Sequence, residues 1–216
     1  MGEGNMRLKS ILLTISLLFA TIAAPYHKIK SISEIQKHIT SPTNTVIFFD
    51  LDHTLIRSKR DANFLSKLGI LLWPSKEYRH LAIWDRWHHC VDVFPHEKNT
   101  LMIFEELKSN NALVLGLTAR PPEIADRTLE QLQKINLVFT HDRVAATNYR
   151  FPTGCYKDGI IFCGRNNKGQ AATEFMAQVD LKPECIIFAD DLVKNVVAVE
   201  KAAEKLNISC HAFLIA

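Results

Sequence analysis

Neither a C-x-x-C pair nor an extended run of basic residues occurs in the 216-residue chain. The first absence leaves no zinc-type ligand spacing. The second, with a formal net charge of only +3, leaves no electrostatic footprint for nucleic acid, and no nucleic-acid partner is expected. Five cysteines, Cys90, Cys155, Cys163, Cys185 and Cys210, are odd in number and scattered, so they do not form a disulfide framework. Cys185 and Cys210 each open a predicted strand and read as buried apolar packing; one disulfide among the other three stays open. The most apolar stretch, Ile11 to Ala24, is shorter than the roughly 20 residues a membrane span needs. What remains is ordinary globular composition, 47% hydrophobic and 23% charged, enough for one core domain carrying an insertion.

The amino terminus reads as a leader. Arg7 and Lys9 precede the apolar stretch, which closes on Thr21-Ile22-Ala23-Ala24-Pro25. A basic start, a short apolar centre and small residues near a cut are the pattern of a secretory signal peptide over 1–24. An uncleaved membrane anchor is the alternative. The expected location is therefore exported, periplasmic or secreted, with membrane contact only if the segment is retained.

The rest is organised around Val46-Ile47-Phe48-Phe49-Asp50-Leu51-Asp52-His53-Thr54. A short β-branched and aromatic run predicts a buried strand. It ends on a carboxylate, which is costly to bury unless a metal or a cationic side chain compensates it. Before it, Ser31 and Glu34 have capping-box spacing for a short helix with Ile32, Ile35 and Ile39 on one face. After it, residues 57–98 predict a small helical cap: Phe64, Leu65, Leu68 and Leu72 share one helical face, and Tyr78, Leu81, Trp84 and Trp87 another. Trp73, beside Pro74, is a candidate for lid contact. His80, His88, His89 and Asp92 read as a solvated face, with metal ligation as the alternative.

From residue 99 the pattern alternates. Leu101, Phe104 and Leu107 mark a helix, and 112–117 a strand ending in Thr118. A helix begins at Pro121-Pro122 with Ala125, Leu129 and Leu132 inward. Leu137-Val138-Phe139 reads as a further strand, and 140–159 as an extended loop or hairpin near the site. Strands follow at 160–162, 185–189 and 210–215, with helices to about Val179 and over 193–206. Core segments 25–56 and 99–216 thus predict an α/β fold, a Rossmann-like parallel sheet with helices on both faces. Three strands end in Asp50 and Asp52, in Thr118, and in Asp190 and Asp191, and Lys168 opens the helix before the last of them.

Asp50-Leu51-Asp52-His53-Thr54 resembles the D-x-D-x-T motif of the haloacid dehalogenase-like (HAD) hydrolase superfamily. Leu117-Thr118-Ala119-Arg120 resembles its second motif. Lys168 occupies the order of the third, and Asp190-Asp191 with Asn195 the D-D-x-x-x-N form of the fourth. The resemblance covers about residues 44–215, the cap lies where that superfamily often carries one, and the leader resembles exported bacterial phosphatases of that type. It implies a Mg²⁺-dependent phosphatase acting on phosphomonoesters. Asp50 would be the nucleophile that forms an aspartyl-phosphate and Asp52 the acid/base. Thr118 and Lys168 would hold phosphate. Asp50, the Asp52 backbone carbonyl and Asp190 or Asp191 would be the cation ligands, with Asp191 first and Asp190 second. Thr54 would brace its loop. Arg120 is left between phosphate binding and a structural ion pair. Phosphopeptides, phosphotyrosine among them, and small metabolites both remain as substrates. A phosphotransferase and a catalytically idle binding protein are the competing functions.

Overall fold

The computed structural model describes residues 26–58, 91–139, 144 and 148–216. The leader, Cys90 and the cap residues 59–90, with all three tryptophans and His80, His88 and His89, lie outside the described residues.

Ten strands and four α-helices are assigned among the described residues. The strands are β1 (His27–Ile29), β2 (Thr45–Phe49), β3 (Ile56–Ser58), β4 (Val93–Pro95), β5 (Leu113–Thr118), β6 (Tyr149–Phe151), β7 (Gly154–Lys157), β8 (Ile160–Phe162), β9 (Cys185–Asp190) and β10 (Ser209–Ile215). The helices are α1 (Thr100–Ser109), α2 (Ala125–Lys134), α3 (Lys168–Gln178) and α4 (Val193–Lys205). Eight strands form one sheet in the order β1-β10-β9-β2-β5-β8-β7-β6. The first five neighbour pairs in that order are parallel. The β6–β7 hairpin then adds antiparallel at one edge. The fold is mixed α/β with a largely parallel central sheet flanked by helices.

The two layers follow from strand periodicity, which sends successive side chains to opposite faces. In β2, Ile47 and Phe49 pack with Ile103, Phe104 and Leu107 of α1, Ala125 and Leu132 of α2, and Ile32 and Ile35. Val46 and Phe48 face the other way, into Ala171, Phe175 and Met176 of α3 and Val196, Val199 and Ala203 of α4. All five residues of β2 are buried, as expected of a central parallel strand covered on both sides. Burying each Phe contributes about 2–3 kcal/mol.

Several expectations change in detail. The Ser31 capping box forms: Ser31 accepts from the Ser33 N–H, and the Glu34 carboxylate accepts from the Ser31 N–H. The helix it opens, Ile32–His38, is a 3₁₀ helix. Leu137–Phe139 is not a strand. Leu137 and Phe139 are buried as a plug behind the sheet, with the Phe139 ring edge-on to Phe104 at 4.9 Å, while Val138 is exposed and its carbonyl accepts from Lys108. The polar 140–159 stretch supplies the β6–β7 hairpin, so the sheet is not wholly parallel. Two three-residue strands, β3 and β4, pair antiparallel, with Ser58 opposite Val93 and Ile56 opposite Pro95. They form a stem whose ends bracket residues 59–90. Cys155, Cys163, Cys185 and Cys210 are free thiols.

Candidate active site

Parallel register brings the carboxyl ends of β2, β5 and β9 side by side, since Phe49 pairs with both Gly116 and Ala189. Asp50 is the first residue beyond β2 and donates its backbone N–H to the Ala189 carbonyl at 2.9 Å. Asp190 is the last residue of β9, Thr118 the last of β5, and Lys168 the first of α3. Open parallel sheets place sites at this edge because the connecting loops diverge there.

A buried ion cluster occupies the centre. The Lys168 ammonium donates to Asp50 Oδ1 at 2.5 Å and to Asp190 Oδ2 at 2.6 Å. The three side chains are 2%, 7% and 0% exposed, respectively, so each charge depends on the others. Asp190 is the most tightly held. Its oxygens also accept the Leu192 backbone N–H at 2.8 Å and the Asn195 amide at 3.0 and 3.1 Å. Asp191 is half-buried and turned to the same place: one oxygen from each of Asp50, Asp190 and Asp191 lies within 4.8 Å of the others. Burial pushes the Asp50 carboxyl up to about 8, with Asp190 and Asp52 adding to the effect and Lys168 opposing it. Asp191 is also raised, first by burial and then by Asp190. The Lys168 ammonium is raised despite desolvation because both aspartates favour its charge.

The loop after β2 is made by backbone bonds. The N–H groups of Leu55 and Ile56 donate to the Leu51 carbonyl, and that of His53 to Ile56. His53 takes a left-handed φ of 64°, a conformation few non-glycine residues adopt. Thr54 does not brace this loop through its side chain. Its hydroxyl is fully buried without a hydrogen-bond partner among the described residues.

Asp52 is a third exposed and is gripped from the side. Arg120 donates Nε to Asp52 Oδ2 and Nη2 to Asp52 Oδ1, both at 2.8 Å. Thr118 accepts the Arg120 backbone N–H on its hydroxyl at 3.1 Å. Arg120, left open between two roles, is therefore an ion-pair partner here. The residues that hold it, Thr128 and Gln131, escaped the sequence reading. Their signal was present, since both sit within or beside the apolar stripe of α2 formed by Ala125, Leu129 and Leu132. A polar group in such a stripe demands a buried partner.

Four carboxylates, Asp50, Asp52, Asp190 and Asp191, thus meet two cations, Lys168 and Arg120. The donors not already saturated are hard oxygens of Asp50 and Asp191. That set suits a hard divalent cation such as Mg²⁺ and would balance the remaining negative charge.

Known proteins resemble the chain in part. It is 28% identical over 108 residues to a protein of Chlamydia trachomatis serovar D described as "Putative outer membrane protein", a match covering 50% of this chain and 41% of that protein. The chain thus spans about two-fifths of that relative's length. Among solved structures, a "Putative Phosphatase from Clostridium difficile" is 16% identical with a TM-score of 0.47, covering 79% of this chain and 85% of that one. A haloacid dehalogenase-like family hydrolase from Streptococcus pneumoniae is 14% identical with a TM-score of 0.48, covering 79% and 84%. Likenesses of that size fix neither activity nor substrate. The sequence-family match is broader: the chain belongs to the family described as "Protein of unknown function (DUF2608)", whose model matches residues 75–214.

Proposed function

We propose that the protein is a Mg²⁺-dependent phosphatase that hydrolyses phosphomonoesters through an aspartyl-phosphate on Asp50. The observation that carries this reading is the buried cluster of Asp50, Lys168 and Asp190 with Asp191 beside it. A buried carboxylate at a strand tip, held by an ammonium and flanked by unsaturated carboxylate oxygens, is arranged to act on a polyanion. Asp50 attacks phosphorus, and the ester P–O bond breaks. The departing oxygen takes a proton from Asp52. A water then gives that proton position back to Asp52 as its oxygen attacks phosphorus, and the Asp50–phosphorus bond breaks to release phosphate. Lys168 and Thr118 offset and orient charge on the phosphoryl oxygens. Asp50, Asp191 and the Asp52 carbonyl would hold a Mg²⁺, which when bound would supply charge neutralisation at the phosphoryl group. Asp190 works from behind, fixing Lys168, because its own oxygens are already engaged.

The purified chain from residue 25 onward is expected to hydrolyse 4-nitrophenyl phosphate with Mg²⁺. EDTA is expected to abolish turnover, and Asp50→Asn to lower it by roughly 10⁴-fold or more, the scale of losing a covalent nucleophile. Activity surviving Asp50→Asn sinks the mechanism, and no turnover over a panel of phosphopeptides, nucleotides and sugar phosphates favours the idle binding protein. The leader pattern at 1–24 supports export of the mature chain. No helix among the described residues is long and apolar enough to cross a membrane. Mass spectrometry of the exported protein tests cleavage, and an intact N-terminus would point to the anchor instead.

A further inference from the structure

The Arg120 guanidinium has five N–H donors, and four are committed inside the protein. Nε and Nη2 form the fork onto Asp52. Nη1 donates to Thr128 Oγ1 at 3.1 Å and to Gln131 Oε1 at 2.7 Å. The side chain is 2% exposed. Thr128 must accept here, because its own proton goes to the Ile124 carbonyl at 3.0 Å. Gln131 is equally constrained: its Nε2 donates to the Val91 carbonyl at 2.7 Å. Since arginine only donates and a carbonyl only accepts, a single amide orientation satisfies both ends. Asp52 is thus tied through Arg120 and Gln131 to the chain just before β4, the return strand of the stem. Holding a guanidinium in this fork is a buried arrangement with a geometric purpose, since a planar bidentate pair fixes the carboxylate plane as well as its position.

We propose that Arg120 is the positioning residue of Asp52, setting the plane from which that carboxyl delivers a proton to the departing oxygen, with Gln131 anchoring it to the stem. This rests on the proposed phosphatase reading. Arg120 acts through Asp52, because four of its five N–H donors are committed inside the protein and its side chain is almost fully buried. Its loss therefore matters most for substrates whose leaving oxygen needs a proton and least for those that leave unaided.

The test is kcat/KM, which covers the steps up to ester cleavage, over a series of aryl phosphates from 4-nitrophenyl to phenyl phosphate with Mg²⁺. Arg120→Ala is expected to lose little on 4-nitrophenyl phosphate and about 10²-fold or more on phenyl phosphate, the range of a general-acid contribution. Arg120→Lys, a point donor that cannot reproduce the fork, is expected to recover only part of that loss. Gln131→Leu is expected to steepen the leaving-group dependence in the same direction by a smaller factor. A loss uniform across the series, or an unchanged slope, overturns the inference. If Arg120→Ala fails to fold, the slope of Gln131→Leu decides the matter by the same criterion. Asp50→Asn separates the two levels: its full activity sinks the phosphatase reading itself, whereas its inactivity beside a flat Arg120→Ala profile sinks only the positioning role.

Discussion

At the scale of single residues, Lys168 carries the heaviest electrostatic duty, since its ammonium compensates two buried carboxylates. Lys168→Met removes that compensation while keeping bulk. Breaking a buried pair by deleting one partner costs about 3–5 kcal/mol. Asp50 lies at the low-cost end, because burial already favours its neutral form. A loss of about 3 kcal/mol is therefore expected from urea unfolding, partly regained on adding Mg²⁺, since a cation replaces the missing charge. The two aspartates at the end of β9 should separate when Mg²⁺-dependent activity and urea unfolding are measured together. Asp191 brings one oxygen within 4.8 Å of those of Asp50 and Asp190, whereas Asp190 is saturated by Lys168, Leu192 and Asn195. Asp191→Asn is expected to raise the Mg²⁺ concentration for half-maximal activity by at least about 10-fold with little change in metal-free stability. Asp190→Asn should do the reverse, lowering stability before it alters the cation requirement. Equal behaviour of the two variants would contradict this division. The sequence placed both aspartates at one strand tip. It could not rank them by geometry, because hydrogen-bond saturation depends on where Leu192 and Asn195 fold back.

At the scale of elements, the contacts between neighbours explain what periodicity could not. Gly169, the second residue of α3, packs against α4 so closely that an added Cβ would lie 2.2 Å from the Ala198 carbonyl oxygen. Backbone cannot yield as a side-chain tip does, so Gly169→Ala is expected to cost about 2–3 kcal/mol, the upper part of the overpacking range. Because Lys168 is the preceding residue, activity should fall with stability, which thermal melts and the aryl phosphate assay read side by side. At the β1–β10 edge of the sheet, three histidines from three elements cluster around Phe213, which His27 and His38 both touch. The His38 ring, at the end of the 3₁₀ helix, lies 5.5 Å from His27 of β1 and 5.3 Å from His211 of β10. The His38 imidazole is held below its ordinary value by burial first, then by His211, His27 and Lys37. The unfolded chain therefore binds the proton more readily than the folded one, so this contribution is complete above the unfolded value of about 6.5 and is lost as pH falls below it. Wild type is expected to lose more of its melting temperature between pH 7.5 and 5 than His38→Gln does. Equal losses would show that the histidine stack is indifferent to protonation.

At the scale of the whole molecule, long periodic segments were legible and most short ones were not, the three-residue β8 being the exception. The central strands β2, β5 and β9 and helices α1 to α4 announced themselves through apolar runs and helical spacing. The carboxylate and threonine groups stand at the ends of those strands, and Lys168 opens α3. β1, β3 and β4 are three residues each, too short to show any period, and Leu137–Phe139 shows the converse, an apolar triplet buried without sheet pairing. What tertiary pairing adds is the stem. Since Ser58 stands opposite Val93, the chain leaves the core and returns to it at nearly one point, so the core's own register does not require residues 59–90 to span a distance. Replacing 59–90 with Asn-Gly, a pair suited to joining antiparallel strands, keeps Val91 and its bond to Gln131. The shortened protein is expected to melt within about 4 °C of the full chain, equivalent to roughly 1 kcal/mol for a domain of this size. It should also keep Mg²⁺-dependent turnover of 4-nitrophenyl phosphate while losing discrimination among larger phosphorylated substrates. Failure to fold would make the insertion part of the core. Unaltered discrimination would move the determinants of selectivity to the sheet edge itself, where His53 and the exposed Leu192 and Val193 stand closest to the aspartates in sequence.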